Sequence, residues 1–204
     1  MIRITQDFSL ADTLAAGMFE DRKRLFVDTL CWDLPVSDDC YEIDAFDGPA
    51  ATYLVDHDER GDHLGSLRLL PSSRPHILGS LFPALCRDGV PIGDDTWEIT
   101  RLCLPTRLGA AGRLAVRNRL ISAMVDHALS AGISALTAVV AWDFLEQVRR
   151  MGWRCTALGE PTIIGGARLG AFRIDLDADT ALRLAATGIY VPDTTPPPSA
   201  RAAA

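Results

Sequence analysis

The stretch of residues 112–140 constrains the fold of this chain more than any other. Apolar residues at helical spacing predict a helix over residues 112–131, and Gly132 favours its end. Residues 133–140, which follow at once, are mostly apolar, as expected of a strand that is buried on both faces. A sheet with such a strand needs helices on both sides, so we predict an α/β fold with a mixed sheet flanked by helices.

The rest of the chain supplies further elements of the same kind. Residues 8–30 and 142–151 predict helices, residues 71–95 are predicted to be mostly loop, and residues 177–186 predict a final helix. Neither a glycine-rich dinucleotide-binding motif after a strand nor a P-loop motif occurs in the sequence. The strands are predicted at residues 50–55, 63–70, 96–104, 153–158 and 167–176.

Length and composition indicate a single domain. The 204 residues are 48% hydrophobic, which suffices for one substantial core, and no apolar run is long enough to span a bilayer. We expect a domain over residues 1–192 and a disordered tail over residues 193–204, where three consecutive prolines precede small residues. The amino terminus lacks the apolar core of a signal peptide, and the five cysteines are dispersed without a CxxC pair. We therefore expect reduced thiols and a cytoplasmic protein.

The distribution of charge along the chain is uneven. Residues 1–62 hold 15 acids and 5 bases, a net charge of −10, whereas residues 63–204 hold 12 acids and 15 bases, a net charge of +3. Five arginines and no acid lie between Arg101 and Arg119. This balance argues against a nucleic-acid-binding protein and favours the binding of one specific anion. The four histidines form no ligand-spaced pair, so we expect no metal site.

Two segments carry charged side chains in unusual settings. Glu42, Asp44 and Asp47 place three carboxylates within six residues, either as a solvated acidic edge or as a site for a cationic ligand. Arg68 lies inside an apolar run, where burial of an isolated charge is unfavourable. It either pairs with Asp44 or Asp47 or faces water on a half-exposed strand.

A third segment contains a candidate general base. Glu98 and Arg101 have opposite parity on the predicted strand 96–104, so they point to opposite faces of a regular strand. They converge only if the strand contains a bulge or ends there. Glu98 is then suited to act as a base, and the alternative is an ordinary alternating strand.

Two further segments suggest contacts with a nucleotide or a carrier. Glycines and arginines at residues 107–113, just before the long helix, suit a pyrophosphate or a phosphopantetheine, or else form a flexible loop. Arg22, Phe26 and Trp32 lie within or just after the N-terminal helical region. The aromatic residues there belong either to the core or to a ligand site, in which Trp32 stacks on a sulfonium or an adenine.

Taken together, these motifs resemble the acyl-homoserine-lactone synthases, the LuxI-type autoinducer synthases. The family pattern has an arginine, a phenylalanine and a tryptophan, then E-x-D-x-x-D, G-x-x-R-L-L-P, an aromatic residue and W-E-x-[ST]-R, and it covers about residues 20–105. A weaker likeness extends to about residue 160. The matching residues are Arg22, Phe26, Trp32, Glu42, Asp44, Asp47, Arg68, Phe82, Trp97, Glu98, Thr100 and Arg101.

The resemblance implies a fold akin to the N-acetyltransferases and a two-step reaction. The α-amine of S-adenosylmethionine attacks an acyl thioester, and the methionine carboxylate then closes the lactone and releases methylthioadenosine. S-adenosylmethionine is a substrate in this scheme, and no cofactor is expected. The catalytic residues would be Glu98, Asp44, Asp47, Arg68 and Arg101. The residues that bind S-adenosylmethionine would be Arg22, Phe26, Trp32, Asp44, Asp47, Arg68, Phe82 and Arg101.

The acyl donor is either an acyl carrier protein or coenzyme A, and we expect no nucleic acid, membrane or other obligatory partner. In the family, a threonine at the start of the helix after the central strand accompanies 3-oxo acyl chains. Ala141 stands there in this chain, so we expect a chain without a 3-oxo group. The residues assigned to the acyl chain or its carrier are Thr100, Leu102, Ala141, Arg107, Arg149, Arg150 and Arg154.

Two other functions share parts of this pattern. A plain N-acetyltransferase would have the same fold and the loop at residues 109–112, but it would not account for Arg22, Phe26 and Trp32. Release of methylthioadenosine separates the two activities. A non-catalytic signal-binding module would keep the fold but would be expected to have lost Glu98 or Arg68, and both are present.

Overall fold

A computed structural model describes residues 1–6 and 9–192 of the chain. The predicted tail at residues 193–204 and the start of the first predicted helix at Phe8 lie outside the described residues. The strands are β1 (Ile2–Thr5), β2 (Val36–Ser37), β3 (Tyr41–Glu42), β4 (Thr52–His57), β5 (His63–Pro71), β6 (Thr96–Cys103), β7 (Ala135–Ala141), β8 (Arg154–Ala157), β9 (Thr162–Ile164) and β10 (Ala167–Asp175). The α-helices are α1 (Thr13–Arg22), α2 (Ile77–Leu81), α3 (Gly109–Ser130), α4 (Trp142–Arg149) and α5 (Thr180–Ala186).

Eight of the described strands form one mixed sheet, which confirms the predicted fold class. Its order is β1-β4-β5-β6-β7-β10-β8, with β9 added to β10, and β2 pairs separately with β3. Among these pairs only β6 and β7 are parallel, and they are linked through α3. Neither β1 nor β9 was predicted, because each has only three or four residues and carries little periodicity.

The long helix α3 covers one face of the sheet. Its buried residues, such as Leu120 and Met124, pack against Leu54 and Leu69 of the central hairpin. The helix begins at Gly109, three residues before the predicted start, and Gly132 follows it with a φ of +73° as predicted for a helix end. No helix among the described residues is long and apolar enough to cross a membrane.

The opposite face carries α1, α2 and the candidate site. Asp12 caps α1 by accepting a hydrogen bond from the backbone of Leu14 at 2.9 Å. A π-helix, Lys23–Thr29, continues α1 without a break. The predicted loop at residues 71–95 contains α2 and the short 3-10 turn Pro83–Leu85, and α2 packs over the sheet beside Glu98. Prolines and glycines dominate that region and concealed the five-residue helix in the sequence pattern.

Candidate active site

Three arginines and three carboxylates meet on the α1 side of the sheet. Arg22 ends α1, Arg68 lies on β5 and Arg101 lies on β6. The carboxylates come from β3 and from the turn that follows it, and no side chain among the six is more than 8% exposed. We call this group the ion-pair cluster, and its members are Arg22, Glu42, Asp44, Asp47, Arg68 and Arg101.

Asp44 and Asp47 are held by the turn that they form. The backbone N–H of Asp47 donates to the carbonyl of Asp44 at 3.0 Å, and the N–H of Asp44 donates to the Asp47 carboxylate at 2.9 Å. The carboxylate of Asp44 also accepts from the N–H of Phe46 at 2.8 Å. The turn thereby points both carboxylates at the sheet, where the arginines lie.

Arg22 and Arg68 each contact two members of the cluster. Arg22 donates from Nε to Glu42 at 2.6 Å and from both terminal nitrogens to Asp47 at 2.8 and 2.9 Å. Arg68 contacts Asp44 at 2.7 and 3.0 Å and Asp47 at 2.7 Å, and its Nε donates to Thr100 Oγ1 at 3.0 Å. The predicted pairing of Arg68 with Asp44 or Asp47 is confirmed, with both carboxylates as partners.

Arg101 reaches the cluster through a β-bulge. The pairing of β5 with β6 shifts by one residue between Ser66 and Arg68, and Arg101 has a φ of +51°. Arg101 then donates to Glu42 at 3.0 Å and to Asp44 at 2.6 Å. Glu98 and Arg101 have opposite parity, so a regular strand would point them to opposite faces. The bulge brings both to the same site.

The ion-pair cluster is balanced in charge. Burial raises the pKa of Asp47, but Arg22 and Arg68 more than reverse this and hold the pKa well below its usual range. Asp44 and Asp47, which were expected to attract a cation, therefore already face arginines. Because their charges are already paired, these two carboxylates can affect a ligand mainly by orienting the arginines.

Glu98 lies beside this cluster and is fully buried. Its carboxylate accepts hydrogen bonds from the backbone N–H groups of Ile77 and Leu78, at 2.7 and 2.8 Å, at the start of α2. Burial raises the pKa of Glu98 to about 7, although these hydrogen bonds and the charges of Arg68 and Arg101 oppose the shift. A carboxylate with this pKa can accept a proton near neutral pH.

Tyr53 is part of the site and was missed in the sequence. Its hydroxyl donates to Asp47 at 2.9 Å and accepts from the N–H of Gly48 at 3.2 Å. Tyr53 lies opposite Arg68 in the β4–β5 hairpin. The hairpin itself was predicted from the sequence. Working out which residues pair across it would have placed Tyr53 beside Arg68.

Of the three aromatic candidates, Phe26 contacts the ion-pair cluster, Trp32 packs on Phe26, and Phe82 lies elsewhere in the core. Phe26, in the π-helix, stacks on Trp32 with ring centroids 5.0 Å apart and an interplanar angle of 15°. The guanidinium of Arg101 lies 5.7 Å from the centre of the Phe26 ring. Trp32 is 47% exposed, and Phe82, after α2, packs partly buried against the core.

The two parallel strands stop pairing after Glu98, and we call the space between them the cleft. β6 pairs with β7 only from Thr96 to Glu98, although both strands continue beyond that point. Leu102 lies on the part of β6 that does not pair with β7. Ala141 is the exposed last residue of β7, directly before α4. Thr100 also lies on this part of β6, but its hydroxyl is engaged by Arg68.

The four arginines expected to contact the carrier do not form one stripe. Arg107 donates both terminal nitrogens to the buried Asp21, at 2.6 and 2.8 Å. Arg149 ends α4, Arg150 follows it directly, and Arg154 begins β8 at the opposite end of the sheet from β1. These three are exposed, and Arg107 is about half exposed. Within residues 1–6 and 9–192, no group of three or more His, Cys, Asp or Glu side chains is arranged so that it could hold a metal ion.

The mixed sheet, in which the parallel strands β6 and β7 separate and β6 carries a bulge, places the protein in the class with an N-acetyltransferase-like fold. Within that class, the chain belongs to the autoinducer synthase family, whose model matches residues 7–184. It is an acyl-homoserine-lactone synthase.

Individual relatives agree with this assignment. The acyl-homoserine-lactone synthase of Ralstonia solanacearum is 34% identical over 197 residues, which cover 93% of this chain and 94% of that protein. The crystal structure of TofI in a ternary complex with an inhibitor and MTA is 28% identical, covers 93% of this chain and 99% of that one, and has a TM-score of 0.75. The CoA-dependent synthase BjaI, solved with SAM and isopentyl-CoA, shares the fold at 23% identity, with a TM-score of 0.81 and coverage of 92% and 87%.

Proposed function

We propose that this synthase transfers an acyl group from the thioester of an acyl carrier protein or of coenzyme A to the α-amine of S-adenosylmethionine, and that it then forms the lactone. The observation that carries this proposal is Glu98, a buried carboxylate with a pKa of about 7 beside the ion-pair cluster and the open cleft. S-adenosylmethionine is a substrate here, and the proposal involves no cofactor or metal.

In the first step the substrate ammonium loses a proton through a water molecule to Glu98. The free amine forms a bond to the thioester carbonyl carbon, and the carbon–sulfur bond breaks. The attacking nitrogen gives up its second proton to the departing thiolate, so the carrier leaves as a thiol. Negative charge develops on the carbonyl oxygen during the attack. Backbone N–H groups of residues 102–104, next to the bulge, are our candidates for stabilising that charge.

In the second step the methionine carboxylate attacks the carbon attached to the sulfonium. That carbon–sulfur bond breaks, its electron pair goes to sulfur, and neutral methylthioadenosine leaves. Arg68 uses all three nitrogens within the protein, whereas the hydrogen bonds of Arg101 use only Nε and Nη2 among the described residues. Arg101 Nη1 is therefore our candidate for holding the substrate carboxylate.

The remaining members of the site orient these groups and enclose the nucleotide. Asp44 and Asp47 act by fixing Arg68 and Arg101, since their own charges are already paired. Phe26 and Trp32 offer aromatic faces to the adenine or the sulfonium. Arg22 holds Glu42 and Asp47 in place, and Phe82 is our remaining candidate for a contact with S-adenosylmethionine.

The acyl donor and the acyl chain are a separate part of the proposal. Arg107, Arg149, Arg150 and Arg154 supply positive charge for an acidic carrier protein, and the open cleft would also admit coenzyme A, which the relative BjaI uses. Ala141 has no hydroxyl to donate to a 3-oxo group, so we propose an unsubstituted or otherwise non-3-oxo chain. Five free thiols in the structure fit a reducing compartment, and we place the reaction in the cytoplasm.

The test is to incubate the purified protein with S-adenosylmethionine and matched acyl thioesters on both carriers. Mass spectrometry should detect an N-acyl homoserine lactone and an equal amount of methylthioadenosine, and kcat/KM for the same acyl group should identify the carrier. Acyl transfer without methylthioadenosine would instead support an N-acetyltransferase. Products that are mainly 3-oxo lactones would contradict the proposal for Ala141.

A further inference from the structure

A second group of buried polar side chains lies next to the active site. Asp21 precedes Arg22 in α1, is 3% exposed, and accepts from Nδ1 of His63 at 2.6 Å. Both terminal nitrogens of Arg107 donate to the same carboxylate at 2.6 and 2.8 Å, and Arg107 also donates to the carbonyl of His63. Asp21 thus joins α1, the start of β5 and the segment between β6 and α3.

The charge on Asp21 is held firmly in place. Burial raises its pKa, but the hydrogen bonds of His63 and Arg107 outweigh burial and lower the pKa to about 2. His63 Nε2 is buried without a hydrogen-bond partner among the described residues. Within that part of the chain, His63 is therefore held through Nδ1 alone, by its contact with Asp21.

Asp21 and Arg22 hold the end of α1 from two directions. Successive residues of an α-helix project about 100° apart, since one turn takes about 3.6 residues. Asp21 accordingly contacts β5 and Arg107, while Arg22 contacts Glu42 and Asp47. The π-helix that carries Phe26 starts at the very next residue.

A cavity of about 160 Å³ lies between the π-helix and the segment that follows β6. Close apolar packing is therefore interrupted between these two elements, and the hydrogen bonds from Arg107 to Asp21 reach across beside the cavity. The lining residues are Asp21, Arg24, Leu25, Thr29, Pro105, Thr106 and Arg107.

We propose that Asp21 is a positioning residue of the synthase, which sets Arg22 and Phe26 relative to the segment that follows the bulge in β6. The inference rests on the proposed binding of S-adenosylmethionine at the ion-pair cluster. Arg107 then has a function in addition to any contact with the acyl carrier, because its bond to Asp21 orients the side that binds S-adenosylmethionine.

The test compares Asp21→Asn with Asp28→Asn, a matched control that removes an exposed carboxylate from the following π-helix. Calorimetric titration with S-adenosylmethionine should show at least tenfold weaker binding for Asp21→Asn, and kcat should fall by up to about 100-fold, since a displacement of about 1 Å suffices for such a loss. Asp28→Asn should match the wild type. An effect that is only structural would lower the melting temperature and the folded fraction but leave the affinity of the folded enzyme unchanged.

Arg107→Gln removes the same bond from the other side and serves if Asp21→Asn does not fold. We expect it to weaken S-adenosylmethionine binding, whereas a role in carrier docking alone would raise only the KM of the acyl donor. The effects of the two substitutions on log kcat/KM should be clearly less than additive in the double variant. Wild-type affinity in both single variants, or additive effects, would overturn the inference. Failure of the wild type to bind S-adenosylmethionine would overturn the proposed function and this inference with it.

Discussion

Six charged side chains are removed from water in the ion-pair cluster, and their pairing decides which of them can act on a substrate. Removing one partner of a buried ion pair typically costs about 3–5 kcal/mol, because the other charge stays buried and uncompensated. Arg22 and Arg68 lower the pKa of Asp47, which is therefore held in the ionised state and is a poor proton acceptor, and both oxygens of Asp44 are engaged by Arg68. Glu98, whose contacts are backbone N–H groups, is the carboxylate best suited to proton transfer.

The first prediction concerns the pH dependence of the rate. Because Glu98 must be deprotonated to accept a proton, kcat/KM of the wild type should rise with pH through an apparent pKa of about 7. Glu98→Gln should be slower by about 100-fold or more, a typical share of acid–base catalysis, and should lose this rise. Initial rates between pH 5.5 and 9 test both points. Glu20→Gln, at a partly exposed acid outside the site, is the control, and an unchanged profile in Glu98→Gln would exclude Glu98 as the base.

The second prediction concerns Arg101. Arg101→Lys keeps the positive charge but loses the planar guanidinium. That group contacts Glu42 and Asp44 and at the same time offers Nη1 to the substrate carboxylate. We expect the KM for S-adenosylmethionine to rise at least tenfold, with a smaller change in the KM of the acyl donor. Steady-state kinetics with each substrate varied in turn would measure this. Arg87→Lys, at an exposed arginine, should behave as the wild type, and an equal rise in both KM values would contradict a specific contact with S-adenosylmethionine.

At the scale of elements, two local irregularities aim the side chains of the site. The bulge in β6 turns Arg101 towards Glu42 and Asp44, which a regular strand would not allow. The π-helix after α1 places Phe26 within 5.0 Å of Trp32, measured between ring centroids. Both irregularities occur at the candidate active site, as is common for π-helices and bulges in enzymes.

The third prediction belongs to this segment. Trp32→Ala removes the exposed ring that stacks on Phe26, so S-adenosylmethionine binding should weaken by about tenfold through loss of an aromatic face for the adenine or sulfonium. Leu30→Ala removes a similarly exposed apolar side chain of the same segment and is the matched control. Calorimetric titration and turnover measure the effect. Unchanged affinity and turnover in Trp32→Ala would refute its proposed role in closing the site.

At the scale of the whole molecule, the stability of the fold depends on pH through two buried acids, Asp21 and Glu98, and the two act in opposite directions. Asp21 has a pKa below its unfolded value, so its contribution is present above about pH 4 and is lost as the pH falls towards 2. Glu98 has a pKa above its unfolded value of 4.5, so the folded state retains a proton that the unfolded state releases between pH 4.5 and about 7. Stability from this group therefore falls as the pH rises.

The fourth prediction concerns this fall in stability with rising pH. Between pH 4.5 and 7, Glu98 should reduce the free energy of unfolding by about 3 kcal/mol, from a difference of about 2.5 pKa units. Urea unfolding of the wild type and Glu98→Gln across this range would show the difference, because the variant lacks the titrating group. The two proteins should diverge steadily as the pH rises. Parallel curves would show that Glu98 has an ordinary pKa in the folded protein.

The sequence by itself determined the layers of the molecule and indicated the family and most residues of the candidate site. Periodicity placed α3 and β7, because a buried strand and an amphipathic helix leave distinct apolar patterns. The cost of burying a charge predicted that Arg68 pairs with Asp44 or Asp47. The ordered motifs indicated the synthase family, to which the chain belongs.

Only the tertiary structure decided how these residues act together. Whether Glu98 and Arg101 serve one site depended on a bulge, which arises from strand pairing rather than from local propensity. Tyr53, and the contacts of Asp21 with His63 and Arg107, join positions far apart in the chain, and no local pattern marks them. The charges of the site are neutralised because its arginines and carboxylates lie within hydrogen-bond distance, and the pKa of Glu98 is raised because its side chain is buried. Both conditions exist only once the chain has folded.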